Sequence, residues 1–171
     1  MKKILLIVGI LLAGFTMSYG QKFAYVNTEY ILGRIPAYEA AQKQLDRLSE
    51  EWQKEIEGKR AEIEKLYKEY QAERVLLTEE MRTKREETIM AREKEVVELQ
   101  RNYFAPEGML YKRRQELVKP IQDDVFNAIK TLATEGNYSV IFDSASGPTM
   151  LYTDPKLDKS DEVLEKVGIQ K

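Results

Sequence analysis

Apolar residues change their spacing along this chain, and each change marks an element. Ile4 to Phe15 is a nearly continuous apolar run, while Phe23-Ala24-Tyr25-Val26 is a short aromatic and β-branched cluster ending at Asn27-Thr28. The cluster predicts a strand. A helical turn from Glu29 to Leu32 then leads to Ile35-Pro36, with proline suited to the first turn of the next helix. Beyond it, Leu45, Leu48, Trp52, Ile56, Ile63, Leu66, Tyr70 and Leu77 recur at three-, four- and seven-residue intervals. That is a coiled-coil seam with one four-residue stutter near Trp52.

The seam is interrupted at Val75-Leu76-Leu77-Thr78-Glu79-Glu80, where Thr78 is a good N-cap and the glutamates suit the positive end of a new helix. From Met81, the positions Ile89, Val96, Leu99 and Tyr103 form a second seam. The simplest path is an antiparallel hairpin spanning 37–119 with its tip near 75–79. About 40 residues per limb at 1.5 Å rise make an arm about 60 Å long. A continuous rod dimerising in parallel is the alternative, which the turn chemistry disfavours. Pro106, Gly108 and Pro120 predict a kinked returning limb.

Leu117, Ile121, Val125, Ile129 and Leu132 continue the helical spacing to a stop at Gly136-Asn137. Tyr138 to Asp143 reads as the clearest strand. A turn over Ser144 to Pro148 and a strand over Thr149 to Tyr152 would complete a β-hairpin. Asp158-Lys159-Ser160-Asp161 caps a last helix, Glu162 to Val167, ended by Gly168. The expected fold class is α+β, mainly α: a long antiparallel helical hairpin projecting from a small oligomeric β body built from 21–36 and 120–171.

Composition narrows the chemistry. Among 171 residues there is no Cys and no His, which excludes disulfides, Cys/His zinc sites, thiol nucleophiles and Ser-His-Asp triads. Asp123-Asp124 and Glu50-Glu51 lie on charged helix faces with no basis for acid/base work, so no enzyme activity and no cofactor are expected. Between Ala37 and Lys119 there are 18 basic and 19 acidic residues in 83 positions. So charged a stretch cannot make a compact core of its own and must be extended helix or disorder, between which the seam periodicity selects helix. Basic runs suited to nucleic acid are absent.

Lys2 and Lys3, the following apolar run and Ser18-Tyr19-Gly20 have the layout of a secretory signal over 1–20, cleaved after Gly20. The mature chain is then expected outside the cytoplasm. A few short strands and helical turns cannot stabilise a body carrying such a lever, and composition excludes staples. Assembly is the remaining route, with Phe23, Tyr25, Val26, Val140 and Phe142 as candidate contacts between copies.

The order of these features resembles the Skp (OmpH-like) family of periplasmic chaperones. The features are the signal, the Ala24-Tyr25-Val26-Asn27-Thr28 strand, Ile35-Pro36, the charged hairpin, the Tyr138 to Asp143 strand, and Asp158-Lys159-Ser160-Asp161-Glu162-Val163-Leu164. The resemblance implies a homotrimer with a β-barrel-like body and three helical arms enclosing a cavity. It implies ATP-independent holding of unfolded outer-membrane β-barrel proteins in the periplasm. It also brings a lipopolysaccharide or lipid contact, for which Arg82, Lys84 and Arg85 are the basic cluster; Glu79, Glu80, Glu86 and Glu87 surround them, so this reads as a solvated helix face. A structural adaptor of the cell envelope is the competing class, but few residues follow Gly136 to build the further β domains such proteins carry.

The best-known relatives are strongly basic, whereas this chain has a pI near 5.5. Apolar burial, rather than net charge, is therefore expected to hold a client. The candidates are apolar residues off the seam: Val75, Leu76 and Met81 near the tip, and Tyr67, Met90, Met109 and Tyr111 on the limbs.

Overall fold

The computed structural model describes residues 21–145 and 150–169, so the predicted signal over 1–20 lies outside the described residues. Strand β1 (Lys22–Val26) is followed by helices α1 (Thr28–Gly33) and α2 (Pro36–Glu73). A 3₁₀ turn at Arg74–Leu76 reverses the chain into α3 (Glu79–Phe104), α4 (Met109–Leu117) and α5 (Lys119–Gly136). Strand β2 (Tyr138–Asp143), a 3₁₀ turn at Pro155–Leu157 and α6 (Ser160–Lys166) complete the body.

The two strands pair in parallel, with Phe23 opposite Val140 and Tyr25 opposite Phe142. Parallel neighbours require a crossover, and here the whole helical arm is that crossover. On its other edge, β1 is bridged at Tyr25 by Asp158, and the Lys159 amide donates to the Tyr25 carbonyl at 2.9 Å. The inner sheet face presents Val26 to a core of Ile31, Ile35, Val125, Ala128, Leu132, Val163 and Leu164, and Ala24 is buried on the same face of the strand. Burying each large aliphatic side chain there contributes about 2 kcal/mol. Ala41, Leu45 and Val118 form a second cluster where the arm joins the body.

Hydrogen bonds tie the conspicuous polar motifs of the sequence together. Asn27 Oδ1 caps α1 by accepting from the Tyr30 amide at 2.9 Å, while the Asn27 amide donates to Ser160 Oγ at 2.8 Å. Ser160 Oγ in turn donates to Asp158 Oδ1 at 2.6 Å. Thr28 donates from its amide and its hydroxyl to the two oxygens of Asp143, at 3.2 and 2.7 Å. Tyr30 Oη donates to Asp161 at 2.8 Å. Strand ends from opposite ends of the sequence are thereby locked to one helix start.

The structure corrects several expectations. Met150–Tyr152 carry no strand, so the described residues hold no β-hairpin after β2; 146–149, including Thr149, lie outside them. The short β2 has instead paired with the distant β1. The returning limb is broken, rather than bent, at Ala105–Gly108 and again at Val118, because Pro106 and Pro120 fall where helices end or begin. The predicted stop at Gly136-Asn137 is present, with Asn137 in the left-handed conformation (φ 52°, ψ 42°). Gly136 stays helical, and a Cβ there would lie 2.2 Å from the Tyr138 ring. The last helix begins at Ser160, two residues earlier than predicted, with Asp158 accepting from the Ser160 amide at 2.9 Å.

Candidate functional site

The arm is the part of the molecule with extended surface, and its geometry follows from the seam. The predicted seam residues of α2 and α3 are all buried or half-buried. Cross-helix contacts run in opposite order along the two limbs. Glu73 meets Arg85 at 3.1 Å, Tyr70 donates to Glu86, and Lys59 meets Glu95 at 2.7 Å. Arg60 donates to Gln100 at 3.0 Å and Tyr103 to Glu55 at 2.8 Å. Trp52 stacks on Tyr103 with centroids 4.7 Å apart and planes 7° from parallel. At the tip, Thr78 Oγ1 accepts from the Met81 amide and Arg82 Nε donates to the Arg74 carbonyl at 3.0 Å.

Charge is concentrated in matched pairs. Lys59 and Arg92 both donate to Glu95, holding its carboxyl below the ordinary glutamate range, and Glu95 raises the Lys59 ammonium in return. The Glu86 carboxylate accepting from Tyr70 raises the tyrosine hydroxyl, as Glu55 does for Tyr103. Of the basic cluster past the tip, Arg82 pairs with Glu79 at 3.3 Å and Arg85 with Glu73. Among the described residues, no group of three or more carboxylates is placed to hold a metal, and no helix is long and apolar enough to cross a membrane.

The predicted binding residues fall into three places. Val75 and Leu76 stand more than four-fifths exposed at the tip, with Met81 half exposed beside them. Tyr67 and Met90, from opposite limbs, line one groove of about 380 Å³ floored by Tyr70 and Ile89. Met109 and Tyr111 are exposed on α4, beyond the break in the limb and away from that groove. Sequence reasoning passed over Val97, 60% exposed on α3. Its signal was available, since it follows seam residue Val96 and lies seven residues from Met90.

At the body, Phe23, Val140 and Phe142 are exposed on the outer sheet face, with the Phe23 and Phe142 rings 6.5 Å apart and Tyr25 half-buried. Val26 points the other way, into its own subunit's core, because alternate residues of a strand face opposite sides. Leu151 and Tyr152 are the most exposed large apolar residues described, at 95% and 85%.

Comparison with known proteins bears on this arrangement. The model of the family described as "Outer membrane protein (OmpH-like)" matches residues 22–167. The "Chaperone protein Skp" of Yersinia enterocolitica is 25% identical over 159 residues, covering 93% of each chain. An uncharacterized protein of Aquifex aeolicus is 29% identical over 157 residues, covering 92% of this chain and 91% of that one. Among solved structures, an OmpH-like outer membrane chaperone of Caulobacter crescentus superposes with a TM-score of 0.67 at 13% identity, covering 90% of this chain and 89% of the other. That likeness shows a shared fold.

Proposed function

The chain belongs to the OmpH-like outer membrane protein family, which includes the Skp chaperones, and on that premise we propose that it is an ATP-independent periplasmic holdase for unfolded outer-membrane β-barrel proteins. One observation carries the proposal. The arm closes its own seam, yet leaves Tyr67, Val75, Leu76, Met81 and Met90 in solvent along a stretch otherwise dominated by charge. Isolated exposed apolar side chains are ordinary, but a row of them on a projecting lever is a surface kept for a partner.

An unfolded outer-membrane strand exposes alternate apolar residues, and each Å² removed from water contributes about 25 cal/mol. Many such contacts within a shared cavity keep the effective concentration high, so no deep pocket is required. Methionines such as Met81, Met90 and Met109 adapt to varied side chains. The outer sheet face of Phe23, Val140 and Phe142 favours self-association, and a homotrimer would gather three arms around one volume. Lipid contact is a secondary partner class in this reading, since most of the tip's basic groups are already paired. Nucleic acid, cofactors and catalysis have no part in it.

The test is the mass of the mature protein alone and after a urea-denatured β-barrel protein is diluted into it. A trimer that forms a soluble complex supports the proposal. A monomer that leaves the client to aggregate refutes it.

A further inference from the structure

The two sides of the hairpin differ, and the difference assigns the client-contacting surface. On one side, the groove lined by Tyr67, Gln71 and Met90 is in line with a second groove of about 520 Å³ lined by Gln53, Arg60, Gln100 and Phe104. These residues share a face because they repeat every seven positions: Gln53, Arg60 and Tyr67 on α2, and Met90 and Phe104 on α3 with Val97 midway. Tyr70–Glu86 and Arg60–Gln100 cross between the helices on this side too, but the opposite side is bridged more tightly. There Lys59 meets Glu95, Glu73 meets Arg85, Glu55 meets Tyr103, and the cleft among Lys59, Glu62 and Arg92 is only about 10 Å³.

We infer that the side bearing Tyr67, Met90, Val97 and Phe104 is the arm's client-contacting face, and that its occupant is an extended, alternately apolar segment of an unfolded chain. This rests on the chaperone reading above. The groove centres are two heptads apart, about 21 Å along the axis. An extended chain spans that distance in about six residues. Six is even, so the side chains entering both grooves leave the same face of the segment, as in an alternately patterned membrane strand. Charge points the same way. Arg74, Glu86 and Glu93 at one groove and Glu57 and Arg60 at the other are mixed in sign, and Tyr70 and Gln100 already engage Glu86 and Arg60. A strongly anionic or cationic partner would find no row of matching charge, whereas an uncharged apolar segment covers Tyr67, Met90 and Val97 while the exposed Glu57, Arg74 and Glu93 at the groove edges stay in water.

The test places the photo-crosslinker p-benzoylphenylalanine at Gln71 or Val97 on the grooved side, and at Glu62 or Glu69 on the bridged side, in the full mature chain. A urea-denatured eight-stranded β-barrel outer-membrane protein is then diluted into each variant. Several-fold more adduct from Gln71 and Val97 than from Glu62 and Glu69 is expected. A soluble complex with equal yields from both sides overturns the face assignment and leaves the chaperone reading standing. Subunit-to-subunit adducts from Gln71 or Val97 that persist when client is added also overturn it, since a sister arm then covers the face. Failure to form any soluble complex removes both. As a second readout, Met90→Ser with Val97→Ser should raise client turbidity while circular dichroism still reports a folded arm, and Glu62→Ser should not; equal turbidity counts against the assignment.

Discussion

Lys59 Nζ and Glu95 Oε1 meet at 2.7 Å across the middle of the hairpin, Lys59 at a position that would be apolar in an uninterrupted coiled coil and Glu95 on the flank of the facing seam. Lys59 stands seven residues after Trp52 and seven before Leu66, and Glu95 directly precedes Val96. A single matched polar pair among apolar neighbours stabilises little, but it penalises registers that leave either charge alone.

Reversing one charge should therefore lower the melting temperature, and reversing both should restore it. Lys59→Glu or Glu95→Lys alone places like charges in the seam, while the double variant recovers the pair, with recovery shrinking in high salt. Because Glu95 titrates below the ordinary 4.5, its contribution is complete above that pH and disappears as pH falls through the lowered value. Lys59, raised above 10.5, contributes below that value and loses its share as pH rises beyond it. Unfolding by circular dichroism across pH, at fixed protein concentration, checks both limbs. A Glu95→Gln variant with an unaltered acid limb would refute the role of the pair.

Two glycines of the arm should respond to alanine with opposite signs. Gly58 is a mid-helix residue with open space where a Cβ would go, so Gly58→Ala should stabilise by about 0.5–1 kcal/mol. At Gly108 a Cβ would lie 2.8 Å from the Asn102 carbonyl and 2.9 Å from that of Tyr103. Gly108→Ala should cost about 1–3 kcal/mol, because backbone must move to admit it. Urea midpoints of the two variants should shift in opposite directions.

Ser160 is the buried junction between the ends of the chain, only 3% exposed. Ser160→Ala would leave the Asn27 amide without its acceptor and Asp158 without one donor, at a cost of about 1–2 kcal/mol. Hydrogen exchange should show faster opening of the β1 and α6 amides, with the arm's own amides unchanged. Equal protection throughout would contradict the junction's role.

Replacing Val75, Leu76 and Met81 with serine should weaken suppression of client aggregation while leaving the assembled mass unaltered. These residues stand at the tip in solvent, far along the arm from the sheet face proposed for assembly. Light scattering of a diluted β-barrel protein, with mass measured on the same sample, separates the two effects. Undiminished suppression would move client contact away from the tip.

The hairpin was legible because its determinants are local. Seam spacing, the cap at Thr78 and the absence of glycine between Gly58 and Gly108 act within a few residues of where they stand. Lys59 hid the true regularity of the seam, since a lysine at an apolar position reads as a gap until its partner is seen. Val97 was passed over although the spacing of Ile89, Val96 and Tyr103 already assigns Val96 to the seam and leaves Val97 outside it, 60% exposed.

By itself, the sequence determined which segments are helical, where the arm reverses and that no thiol or imidazole chemistry is available, because propensity, periodicity and composition are properties of neighbours and counts. Tertiary structure alone decided that β1 takes β2 as a parallel partner across the whole arm, that Met150–Tyr152 is not a strand, and that one side of the hairpin carries wide grooves while the cleft among Lys59, Glu62 and Arg92 on the other is nearly closed. Strand pairing and side-to-side asymmetry are set by contacts between residues far apart in the chain, whose free energy depends on which surfaces meet and not on the order in which the residues were written.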